Sequence, residues 1–210
     1  MNVKQGFYWR CVFFITGIII LSLGLALTIK GKLLGVGSWD VLHLGLQMNF
    51  GLTVGTWSIM LGLLILAIDG VFSKRLPKIG TYLDMFLTGI FVDIFLYVLP
   101  DLHHTAEQML AFVVGIILLG FGCGMYMVAN LGVGPRDTLM LLLVHRLGWS
   151  VNRARTTMEV SVAVIGFVLG GPVGLGTVFM AFGLGPVVQW ALKLNEKLFF
   201  RASGTESAVL

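Results

Sequence analysis

Six of the ten carboxylates in this chain, Asp40, Asp69, Asp84, Asp93, Asp137 and Glu159, lie within or against long apolar runs. A carboxylate in the middle of a bilayer costs about 2.5 to 3.5 kcal/mol on insertion scales, so each must face protein interior or find a compensating group. Asp93 stands deepest, about 13 residues into an apolar run, and is a candidate binding group for a polar or ionic solute. Asp84 precedes it by nine positions, which at 100° per residue puts the two on opposite faces of one helix. Asp84, Asp69 and Glu159 fall within about a turn of a run's boundary. There Lys74, Arg75, Lys78 and Arg155 can neutralise them, and Glu159 follows Arg155 by a helical pairing distance of four.

Asp40 and Asp137 sit in two copies of one motif, Leu34-Gly35-Val36-Gly37-Ser38-Trp39-Asp40 and Leu131-Gly132-Val133-Gly134-Pro135-Arg136-Asp137. Gly35, Gly37, Gly132 and Gly134 allow a sharp turn or a close backbone approach, so a short helix is expected to start just after each motif. Pro135 suits a first helical position, and Ser38 in the matching place can act as a cap. Either aspartate can then anchor its helix start, or hold a ligand there with the free N–H groups. Trp39 and Arg136 have the same two readings, as interface anchor and topology determinant or as binding groups. His43 follows Asp40 by three and shares its face, where hydrogen bonding competes with a ligand role.

Enzymatic chemistry has no foothold. No nucleophile elbow, zinc-protease motif or phosphate loop occurs, and His103 and His104 are adjacent, a poor geometry for one metal ion. Cys11 and Cys123 lie in apolar segments and read as small hydrophobes. The chain is read as a non-enzyme without cofactor or metal.

The elements that hold these residues follow from composition. Hydrophobic residues make up 57% and charged ones 11%, with a mean hydropathy of +0.95. So few polar groups cannot cover a water-soluble surface, so lipid is the expected solvent, in one membrane domain over 1–210. Runs of spanning length lie near 9–29, 52–72, 80–99, 109–129, 156–171 and 175–194, giving about six transmembrane helices. The first run is too long for a signal peptide's core and has an internal twin. Shorter stretches near 38–48 and 135–145 read as half-helices, re-entrant or interfacial.

Twelve of the 14 Lys and Arg fall on one side of this arrangement and only Lys30 and Lys32 on the other. That bias puts both termini in the cytoplasm and explains the net charge of +4 without a nucleic-acid partner. The residues from 196 onward form a polar cytoplasmic tail, expected to be disordered from Arg201.

The motifs belong to a longer duplication relating residues 8–100 to 109–195. The offset is 98 through Phe14/Phe112, Gly17/Gly115 and Gly24/Gly122, then 97 through the motifs, then 96 at Gly80/Gly176, Phe86/Phe182, Gly89/Gly185 and Asp93/Gln189. Three crossings per half force the second copy in from the opposite side, so the fold class expected is all-α, two inverted three-helix repeats. Asp93 and Gln189 are then expected to meet near the midplane.

The two motifs, with His43 closing the first, resemble the YczE-like bacterial integral membrane proteins, a group that includes YyaS and YitT. The resemblance covers about residues 8–195 and implies a small bacterial plasma-membrane protein; it supplies no substrate and no catalytic residues. Met140 stands where the first copy has His43, so a role for His43 is not shared by both halves. The favoured function is a small transporter of an unidentified polar or ionic solute, using Asp40, Asp93, Asp137, Gln189, His43 and Arg136. The alternative is a non-transporting membrane subunit that docks a partner on Arg146, Arg153 and Arg155; a homo-oligomer stays open.

Overall fold

The computed structural model describes residues 3–73 and 77–203. Eight α-helices account for most of these: α1 (Val3–Lys30), α2 (Ser38–Phe50), α3 (Val54–Ser73), α4 (Ile79–Val98), α5 (Thr105–Val128), α6 (Pro135–Leu147), α7 (Val151–Val168) and α8 (Leu175–Ser203). The described residues contain no strand. Five helices, α1, α3, α4, α5 and α8, are long and apolar enough to cross a membrane. Their outward faces carry Val71, Ile79, Phe179 and Phe182, all exposed, which is the surface lipid requires.

Two expected boundaries shift. The fifth run begins its helix at Val151, not 156, and ends at Val168. Ser150 accepts a hydrogen bond from the Arg153 N–H and caps the helix there, which draws Arg153 and Arg155 onto α7 beside Glu159. With those charges α7 is not among the five apolar spans. The last helix continues through Arg201 to a buried Ser203, so the tail is ordered further than its polarity suggested. Lys74 and Arg75 lie outside the described residues.

The centre of the bundle is the crossing of α1 and α5, where glycines bring the backbones into contact. A methyl carbon added at Gly24 would sit 2.4 Å from the Leu119 nitrogen, and one at Gly122 would sit 2.4 Å from the Leu21 nitrogen. Low residue numbers on α1 meet high ones on α5, so the helices run antiparallel. Close backbone approach gives association in lipid the van der Waals contact that water exclusion cannot supply. Phe13, Phe14, Ile18 and Tyr126 fill one flank of this crossing; Leu25, Ile29, Phe112 and Leu119 fill the other.

Each half-helix is held by the other half of the chain. Gly35, at φ +95°, turns against Gly174 and Thr177. Gly132 makes the corresponding approach to Gly80 and Thr81. In the same way α2 packs on α7 and α6 packs on α3. Outside the bundle Lys30, ending α1, bonds Asp101 at 2.5 Å, and its ammonium holds that carboxyl below the usual range.

Candidate functional site

Both motifs open into one cavity of about 180 Å³ at the middle of the bundle. Pro135 is the first residue of α6, as its missing N–H favours, with Gly134 as cap. Gly37 is also the cap of α2, so Ser38 is the first helical residue and makes no capping bond.

Of the cavity's 28 lining residues, all but Ile65 and Tyr126 fall into thirteen pairs under the register read from the sequence. Leu21 pairs with Leu119 and Leu25 with Cys123. Gly37, Ser38, Trp39 and Asp40 pair with Gly134, Pro135, Arg136 and Asp137. His43 pairs with Met140, Ser58 with Arg155, Leu61 with Met158 and Gly62 with Glu159. On α4 and α8, Asp84, Met85 and Thr88 pair with Met180, Ala181 and Leu184. Equivalent positions touch at the centre: the Arg136 guanidinium lies 5.0 Å over the Trp39 ring. The Trp39 indole donates to Glu159 at 3.2 Å.

The chemistry of the pairs differs sharply. The α2 end holds Asp40 and His43, both buried, with His43 Nδ1 3.7 Å from Asp40 Oδ1. At the α6 end the Tyr126 hydroxyl donates to Asp137 at 3.4 Å. Asp84, only 7% exposed, receives one long bond of 3.5 Å from Thr88. Its Oδ2 lies 2.9 Å from where a side chain on Gly134 would start, and the methyl of Met180 is 3.1 Å from the matching point on Gly37.

Asp40, His43, Arg136, Asp137 and the motif glycines Gly37 and Gly134 therefore line one cavity, while Gly35 and Gly132 pack against the other half of the chain. Asp93 and Gln189 are not gathered. Asp93 accepts from the Thr53 hydroxyl at 2.5 Å and the Gly55 N–H at 2.8 Å, capping α3. Gln189 is exposed on α8. Asp93 is turned to the start of α3 and Gln189 to the surface, so the register pairs them without bringing them together. Glu159 bonds Trp39, not Arg155, though both line the cavity.

Asp84, Tyr126, Arg155 and Glu159 are lining residues that the sequence reading did not select for the site. A signal for Asp84 existed: it lies opposite Asp93 on α4 and shares a face with Met85 and Thr88. Asp69 bonds Ser73 at 2.6 Å beside a second cavity of about 550 Å³ that also takes in Lys78 and Arg146. Arg146 donates to the Phe72 carbonyl, and Arg153 lies 4.7 Å over Trp149.

The two halves differ at their edges. α3 and α4 pack together, with Gly89 against Gly55 and Ile59. Among the described residues no comparable packing joins α7 and α8, and Gly185, the counterpart of Gly89, faces open space. The cavity meets the surface on this side, at the exposed Arg155.

Residues 8–193 match the model of a family of unknown function, DUF6198. An uncharacterized membrane protein, YczE of Bacillus subtilis, is 39% identical over 208 residues, 99% of this chain and 97% of its own. An uncharacterized protein of Haemophilus influenzae is 35% identical over 166 residues, 78% of this chain and 76% of its own. YyaS of Bacillus subtilis, also uncharacterized, is 29% identical over 186 residues, 87% of this chain and 92% of its own. No solved structure matches the chain. Helices of spanning length, a match over nearly the whole chain and a full-length membrane relative together make this a multi-pass membrane protein of the DUF6198 family.

Proposed function

We propose that this protein is a small-solute carrier of inverted-repeat design, with six crossings, cytoplasmic termini and its binding site in the central cavity. The observation that carries the reading is the pairing of the cavity's lining: a site built from equivalent positions of both halves lies on the axis that would exchange them. The antiparallel contact of α1 with α5 supports the inversion, because a two-fold axis in the membrane plane turns equivalent helices upside down.

The unequal edges support a mechanism. α3–α4 is closed and α7–α8 is open, so exchanging the two conformations would shut one access route and open the other. With the charge bias setting the orientation, the open route faces the cytoplasm. Asp93 then acts as the latch of the outer gate, and Gln189 holds the equivalent place at the inner one.

Cysteine labelling in a background without Cys11 and Cys123 tests this. R155C is expected to react with an impermeant maleimide from the cytoplasmic side, and its equivalent, S58C, from the outside. Closing one is expected to open the other. Simultaneous labelling of both from the same face would exclude the carrier mechanism.

A further inference from the structure

The carrier reading leaves the solute unnamed, and the chemistry of the lining narrows it. Four carboxylates, Asp40, Asp84, Asp137 and Glu159, face two guanidinium groups. Arg136 is engaged with the Trp39 ring, and Arg155 stands exposed at the mouth. Asp84 and Asp137 have no ion pair among the described residues. One oxygen of Asp84 is held only by the long bond from Thr88, and the other has no hydrogen bond. Asp84 lines the cavity, so this carboxylate is open to a positive group that enters it.

Size and shape decide what kind of positive group. The cavity's 180 Å³ far exceeds the roughly 10 to 15 Å³ that one water occupies on the same basis, so it has room for an organic molecule. Leu119, Met180 and Leu184 give it apolar walls. No three His, Cys, Asp or Glu side chains among the described residues are grouped to hold a metal ion. An anion would meet a carboxylate at both half-helix starts.

Resting on the carrier reading, we propose that the solute is a small organic cation whose ammonium group binds at Asp84, with Asp137 and the Tyr126 hydroxyl beside it and its carbon skeleton along the leucine and methionine wall. Met180 stands in the place equivalent to Asp84, so this carboxylate has no counterpart on α8 and the skeleton has a thioether to lie against.

The test uses the full-length protein in nanodiscs at pH 7 and constant ionic strength, with n-butylamine and n-pentylamine as probes against n-butanol and butyrate. The amines are expected to raise Tm by about 2 to 4 °C at concentrations several times Kd, and the alcohol and the acid are not. D84N is expected to lose the shift, whereas D69N, a buried carboxylate outside this cavity, keeps it. Stabilisation by butyrate or butanol equal to that by the amines would overturn the proposal, as would no stabilisation by either amine. So would a folded D84N that still responds; if D84N does not fold, D137N takes its place. Amine stabilisation without any exchange of R155C and S58C labelling keeps the cation site and removes the carrier. Exchange without amine stabilisation does the reverse.

Discussion

Trp39 and Arg136 hold the same place in the two motifs, yet one is an aromatic plane and the other a cation, and the structure stacks them. Two identical residues could not make this contact: paired arginines would repel, and paired indoles would lose the charge. W39F keeps a ring under Arg136 but removes the indole N–H that Glu159 accepts. A cost of about 0.5 to 1.5 kcal/mol is expected, read as a fall in Tm, with W39L losing more. Asp93 supports a different prediction. Its two bonds hold the start of α3 against α4, so D93A is expected to favour the outward-open form. Losing about 1.4 kcal/mol of latch would raise S58C labelling from outside about tenfold. Unchanged labelling would make Asp93 a cap and nothing more. Asp101 is a solvent-side counterpart: Lys30 lowers its pKa, so its contribution is present near neutrality and disappears as pH falls through the folded-state value. D101N should therefore melt slightly below the unsubstituted chain at pH 7 and together with it once the pH has fallen below the lowered folded-state pKa of Asp101.

At the scale of helices, the proposed mechanism makes some glycine contacts fixed and others moving. Gly24 and Gly122 are equivalent and both press on backbone atoms. Substitution by leucine at either is expected to cost at least about 1 to 3 kcal/mol, by similar amounts at the two sites, seen as lowered Tm or loss of folded protein. Gly185 faces open space, while its counterpart Gly89 is packed against Gly55 and Ile59. G185L is therefore expected to leave Tm nearly unchanged and to block closure of α7 on α8, so that S58C stops reacting from outside. A G185L protein that melts like a G89L protein would mean that α7 and α8 are already packed. Pro186 beside it removes one backbone N–H from α8, which gives that helix a place to bend that α4 does not have.

At the scale of the whole molecule, the proposed inversion makes a topological prediction. Phe50 and Leu147 end the two half-helices, are equivalent, and are both exposed. F50C is expected to label only in right-side-out vesicles and L147C only in inside-out ones. Labelling of both from one side would remove the inverted repeat and with it the gate assignments.

The sequence alone determined the solvent, the main helices and the pairing of positions. Apolar length is a local property, and a duplication is visible in the order of residues whatever the chain does in space. It singled out Asp40, Asp137, His43 and Arg136, which line the central cavity, because a glycine-flanked helix start is also local chemistry. The tertiary structure decided which of the remaining carboxylates face inward. Asp84 and Asp93 share one helix on opposite faces, and the deeper in sequence is not the deeper in the bundle. Which face looks at the cavity depends on how α4 packs against α1 and α3, and on Leu131 and Gly132 reaching Gly80 and Thr81 from the other half. Those contacts join residues tens of positions apart, and no periodicity within one helix encodes them.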